Sequence, residues 1–232
     1  MTIRPCLLAG VLVVGCVVMA LPAAGQTRPV RSVYERYTEP IQIFKTGLGT
    51  FTRPMSSSNK EAQAFFDQGF QMMYSFAKPE AVRSFREAWK RDPDCAICYW
   101  GEAWAWGSYL NAPMTAEEAP HAYAAARKAM SLGSRATAKE RVLIDAITVR
   151  YVETFDAAKR VEQDRAYAEA MQNVSAQYPD DLDIATLYAD ALFLLEPRRG
   201  SRDHTDPDVQ RLHQVLEGIL ARDVHHPGAC HL

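Results

Sequence analysis

The sequence predicts an all-α fold, an α-solenoid built from antiparallel helix pairs. Three observations carry this. From residue 60 onward the chain is rich in alanine, with apolar residues recurring at i, i+3 and i+4. No run with the alternating apolar and polar pattern of a strand interrupts it. The helical segments fall into successive hairpins, separated by short breaks that contain proline, glycine or capping residues.

The elements follow in order. Asn59, preceded by Ser58, caps a helix over residues 60–76 with Glu61 in its first turn. Ala77-Lys78-Pro79 breaks it, and Pro79 suits the first turn of a second helix, 79–91. Residues 95–109 and 117–131 form the next pair, closed by Gly133-Ser134. Thr137 caps a helix over 138–153, and a helix over 156–177 runs to Tyr178-Pro179. The last pair is 182–195 and 207–221, joined by a polar loop. Residues 26–59 hold several prolines and glycines and a serine triplet, and read as an irregular linker with a short extended piece, Ile41 to Phe44.

The first 25 residues are distinct: Arg4, then an uncharged apolar run, then small residues ending at Gly25. They read as a secretory signal peptide, so the mature chain is expected in the periplasm or outside the cell, with no membrane span after cleavage. There are two alternatives: a lipoprotein, because Val13-Val14-Gly15-Cys16 fits a cleavage box that would leave a lipid anchor on Cys16, and an uncleaved membrane anchor, for which the apolar run is short. With 26 basic against 28 acidic residues, the charge balance shows no footprint for nucleic acid.

The stretch Asp92-Pro93-Asp94-Cys95-Ala96-Ile97-Cys98 leaves several chemistries open. A C-x-x-C pair at a helix N-terminus suits thiol redox work or metal ligation, and equally suits a local disulfide or two small apolar residues filling a turn. Tyr99 follows the second cysteine where haem attachment needs histidine. His225, His226, Cys230 and His231 form a second dense group, which could ligate a soft or borderline metal or simply make a turn. No Gly-x-Ser-x-Gly, phosphate-binding glycine loop or His-Glu-x-x-His is present, so no enzyme activity and no cofactor are expected.

Residues 60–94 resemble the tetratricopeptide repeat, a helical hairpin with a period of about 34 residues. With Ala62 first, the register places Gly69, Ala81, Phe85, Ala88 and Pro93 at its most diagnostic offsets. One period on, Ala96, Tyr99 and Ala103 match again, and Ala122 and Ala129 follow after an insertion; later units are degenerate. Glu102 lies among apolar helical residues, at a position that this repeat register would make apolar, so either the register slips locally or a basic partner such as Arg83 or Arg86 reaches it. The chain is similar to exported bacterial members of this group, and the end "HHPGACHL" implies C-terminal truncation.

The resemblance implies a scaffold that binds a protein or peptide through its concave face. The inner offsets would present Gln63, Phe66, Phe70, Met73 and Tyr74 in the first unit and Ile97, Trp100, Trp104, Gly107 and Ser108 in the second. Phe66, Phe70, Met73, Tyr74, Trp100 and Trp104 are therefore the candidate partner-binding residues, in an aromatic groove of the kind that supplies binding hot spots, unless a neighbouring helix or the N-terminal segment 33–55 covers them. The alternative function is a metal-binding or thiol-redox protein using Cys95, Cys98 and the histidine-rich end. On the groove reading, alanine at both Trp100 and Trp104 abolishes partner capture and leaves the helical circular dichroism intact.

Overall fold

A computed structural model describes residues 31–196 and 202–232. The expected signal peptide, with Cys16, lies outside the described residues. The described chain is helical, with no strand: α1 (Val33–Thr38), α2 (Lys60–Tyr74), α3 (Lys78–Arg91), α4 (Ala96–Trp106), α5 (Ala119–Ser131), α6 (Ala138–Thr148), α7 (Arg160–Gln177), α8 (Leu182–Phe193), α9 (Pro207–Leu220) and α10 (Pro227–His231).

Local chemistry sets these boundaries. The Asn59 side chain accepts from the backbone N–H groups of Glu61 and Ala62, which α2 itself cannot pair. Thr137 and Glu140 form a reciprocal capping box at the start of α6. Asp181 caps α8 by accepting from Ile184 N, and Asp206 caps α9 by accepting from Asp208 N. Pro79 stands in the first turn of α3, as expected. The short α1 was not expected, although Ser32 and Glu35 carry the capping-box spacing and do form one.

Helices adjacent in sequence pack on one another from α2 to α9, and α10 turns back to touch α2, α8 and α9. Glycines on α2 and α4 permit close approaches to Phe85 of α3. A Cβ on Gly69 would sit 2.6 Å from the Phe85 ring, and one on Gly101 would sit 2.4 Å from it. Phe85 thus lies between α2 and α4, fully buried, with Ala62, Ala81 and Ala88 also at 0% exposure.

Two expectations are corrected. Residues 31–59 are irregular outside α1 but are not a loose linker. The segment packs on the helices: Ile41 is 5% exposed and Arg53 8%. The candidate partner-binding residues are not a groove wall either. Phe66, Phe70 and Trp100 are at 0% exposure, Trp104 at 2%, Met73 at 6% and Tyr74 at 7%. They form one ring stack, with Phe70 5.9 Å from Trp100 and 5.1 Å from Trp104. The segment covers it: the Phe51 ring lies 5.9 Å from Phe70 and 5.5 Å from Tyr74, and the Arg53 guanidinium sits over Phe70. Burying rings of this size stabilises the fold by more than leaving them exposed for a partner, and the chain carries its own cover.

Trp100→Ala therefore acts on stability. It is expected to cost about 3–5 kcal/mol, read as a lower urea midpoint, rather than leave the fold intact. Gly101→Ala, which drives a methyl group into Phe85, is expected to cost about 1–3 kcal/mol in the same measurement.

Candidate functional site

The inner face of α2 carries Gln63, Asp67, Gln68 and Gln71, spaced to lie on adjoining ridges of one helix. All four bond to the main chain of the covering segment. Gln68 accepts from Phe44 N at 2.7 Å and donates to Gln42 O at 3.1 Å. Gln63 donates to Arg53 O at 2.9 Å and accepts from Met55 N at 3.3 Å. Each glutamine thus engages a carbonyl and an N–H two residues apart, the pair that a neighbouring β-strand would engage. Asp67 accepts from Arg53 N at 2.9 Å, and Gln71 donates to Phe51 O at 3.1 Å. Burial pushes the Asp67 carboxyl up, against the lowering effect of its bonds from Arg53 N, Thr52 and Gln63. Beyond α2, Glu140 accepts from Ser56 N.

The Arg53 side chain then reaches across to the start of α8. It bonds Asp181 at 3.0 Å and Asp183 at 2.9 Å. Asp183 also accepts from Tyr74 Oη at 2.8 Å and faces His226 Nε2 at 3.2 Å. His226 Nδ1 accepts from Ala229 N, so the ring caps α10 with one nitrogen and meets Asp183 with the other. Thr186, 3.4 Å from His226 Nδ1, gives its hydroxyl proton to Leu182 O, so the histidine does not serve it as a base. Burial pushes Asp181 up, but the charge and hydrogen bond of Arg53, with Lys139, hold it down at about 2. Burial opposes and the His226 bond and Arg53 charge secure a lowered Asp183. Burial, reinforced by Asp183, puts the Tyr74 phenol well above its usual value.

Arg86 is the partner that Glu102 requires, at 2.6 Å, with the indole N–H groups of Trp89 and Trp106 donating to the same carboxylate. Arg83 instead donates to the Glu39 and Pro40 carbonyls.

The residues named for metal or redox chemistry are placed apart. Cys95 and Cys98 are joined as a disulfide, both buried, with Met55 Sδ 3.8 Å from each sulfur. Cys230 is an exposed thiol 3.2 Å from Val224 O. His225 is exposed, His226 faces Asp183, and His231 stacks on Phe76 with ring centroids 4.1 Å apart. Among the described residues, no three His, Cys, Asp or Glu side chains gather to hold a metal ion.

Sequence reasoning placed Gln63 on the inner face but missed Arg53, Asp67, Asp181 and Asp183. Asp181 had a legible signal, an aspartate just before an apolar helical run; Arg53 had none, because its partners lie far along the chain. No family model matches the sequence, and no curated protein or solved structure matches it either. Among the described residues, no helix is long and apolar enough to cross a membrane.

The lowered carboxyls set a pH dependence. Both folded values lie below the unfolded value of about 3.9. The stabilisation they bring is therefore complete above that value and is lost as pH falls through it toward about 2. Arg53→Met is expected to lower stability at neutral pH and to flatten the fall between roughly pH 4 and 2. Urea denaturation across that range reads both effects; an unchanged slope would remove Arg53 from the acid response.

Proposed function

We propose that this chain is a helical-repeat scaffold of tetratricopeptide type that binds an extended segment of a protein partner by its main chain. One observation carries the reading: Gln63 and Gln68 each engage a carbonyl and an N–H two residues apart in the covering segment, Gln68 at residues 42 and 44 and Gln63 at residues 53 and 55. Main-chain engagement of this kind gives affinity with little demand on the ligand's sequence, and neighbouring pockets supply selectivity. The chain's own residues 42–55 occupy the face, so a partner engages by taking their place.

Packing supports the repeat register, because Ala62, Gly69, Ala81, Phe85 and Ala88 are all buried at helix contacts. The Cys95–Cys98 disulfide suits an exported protein in an oxidising compartment and so supports reading the scaffold as one of the bacterial cell envelope. The aromatic stack serves the reading from beneath, as the rigid floor on which the segment lies.

The test is exchange. A protease site introduced at Ser57-Ser58 allows the covering segment to be cut from α2 and to leave. The nicked protein is then panned against displayed random peptides, with a labelled peptide spanning residues 40–56 as competitor. Extended peptides that displace the labelled one are expected, and Gln68→Leu, which removes two main-chain bonds, should weaken them by roughly tenfold at about 0.5–1.5 kcal/mol per bond. If no displayed peptide displaces the segment, the face serves only the chain's own fold.

A further inference from the structure

Between α1, α3, α4 and α5 lies an open pocket of about 250 Å³. Tyr34, Arg86, Tyr99, Glu102, His121 and Lys128 line it, with two alanines of α5 between the last pair. We propose that this pocket binds a small aromatic carboxylate. The inference does not rest on the peptide-binding reading, since neither α2 nor residues 42–55 line the pocket.

Charge selects an anion. The Glu102 carboxylate is already engaged by three donors: Arg86 Nη1 at 2.6 Å, Trp89 Nε1 at 2.6 Å and Trp106 Nε1 at 3.1 Å. Arg86 is less fully matched, because its Nε is buried with no hydrogen-bond partner. A buried donor left unpaired is costly, and an acceptor on a ligand relieves it. Lys128 is exposed at the pocket edge, and its ammonium lies 5.7 Å from the centre of the Tyr99 ring, with no acidic partner among the described residues. Two cations thus stand against one carboxylate, and the surplus is positive. Glu117, the other acid near His121, accepts from Val33 N and does not line the pocket. Burial lowers His121, against the opposing charge of Glu102, so at neutral pH its ring brings hydrogen bonding rather than charge.

Shape selects a ring. Tyr34 stacks on His121 with centroids 4.4 Å apart, and His121 leans on Trp106 at 5.0 Å. Tyr99 is backed by Trp89, 5.2 Å away and 13° from parallel. Rings held in this way offer fixed faces and edges, and aromatic pairs attract beyond the area they bury. The volume falls below the roughly 300–1,000 Å³ of sites for drug-sized ligands, which limits the occupant to about one ring. The α5 alanines leave that space open.

An independent feature points to the same pocket. Helix α1 has none of its six residues buried, yet it is fixed in place. Val33 N donates to Glu117 Oε1 at 2.8 Å, and the Tyr37 ring stacks on Trp106 at 5.2 Å. Core burial does not account for such a helix. Its Tyr34 ring, 40% exposed, is the wall that α1 supplies to the pocket.

Two sources share this chemistry: a free single-ring acid, and the carboxylate end of a polypeptide that finishes on an aromatic residue. The full chain is titrated with benzoate, with N-acetylphenylalanine, with cyclohexanecarboxylate and with the neutral benzyl alcohol, read by calorimetry and by chemical shifts of the His121 and Tyr99 rings. Benzoate is expected to bind at least about tenfold more tightly than benzyl alcohol, and roughly threefold to tenfold more tightly than cyclohexanecarboxylate. Binding of N-acetylphenylalanine beside benzoate would extend the site to polypeptide ends; its exclusion would confine the site to free acids. Lys128→Gln, at an exposed position, should weaken benzoate at least about threefold and leave benzyl alcohol unchanged. Ala124→Trp, also at an exposed position, should fill the pocket and abolish benzoate binding without lowering the unfolding temperature. Equal affinity for benzoate and either benzyl alcohol or cyclohexanecarboxylate, no benzoate binding, or benzoate binding that survives Ala124→Trp overturns the proposal.

Discussion

The fold depends on keeping water off the ring stack of Phe66, Phe70, Trp100 and Trp104. Aromatic side chains of this size supply much of the driving force for folding, but only when both faces of the stack are covered. Helices α2 to α5 cover one side by packing on their neighbours. The other side is the inner face, where a helical array has no further helix to offer. Residues 42–55 fill that place, and α10 with the start of α8 closes the remainder.

Covering rings with an irregular segment raises a second demand. A segment without a strand partner has main-chain polar groups that would otherwise be buried without bonds, at a cost comparable to the rings' gain. The α2 side chains meet this demand. Gln63 and Gln68 act as surrogate strand residues, Asp67 and Gln71 take further main-chain groups, and Arg53 is fixed at its far end by Asp181 and Asp183. Polar satisfaction and apolar burial are thus one arrangement, and the lowered carboxyls follow from it: Arg53 is held among buried groups, so its charge acts on them with little screening.

The helices were legible in the sequence because their signals are local. The apolar period, the caps Asn59 and Thr137, and Pro79 all act within a few residues of the backbone they shape, and the Glu102 partner was legible because Arg86 lies one helix away. The candidate site was not legible for the opposite reason. Which helix face is open depends on what lies over it, and the cover is drawn from residues whose prolines and glycines argue for a loose linker. Ile41, Phe51 and Met55 held the contrary message, since a solvated linker has little use for large apolar residues. The cysteine pair and the histidine-rich end looked alike in sequence as metal ligands; distance separates them, with the cysteines bonded to each other and the histidines engaged with Asp183 and Phe76.

The Arg53 bridges join residues more than half the chain apart, with sequence separations of 128 to Asp181 and 130 to Asp183. The covering segment leaves the ribosome before any helix it covers, yet its final contacts exist only once α8 has been made. Early helices α2 to α4 therefore assemble while their inner rings are only partly sheltered, and the long loop is closed last. A protein laid out in this way is most vulnerable to aggregation during synthesis, before the clasp that fastens late in assembly has closed.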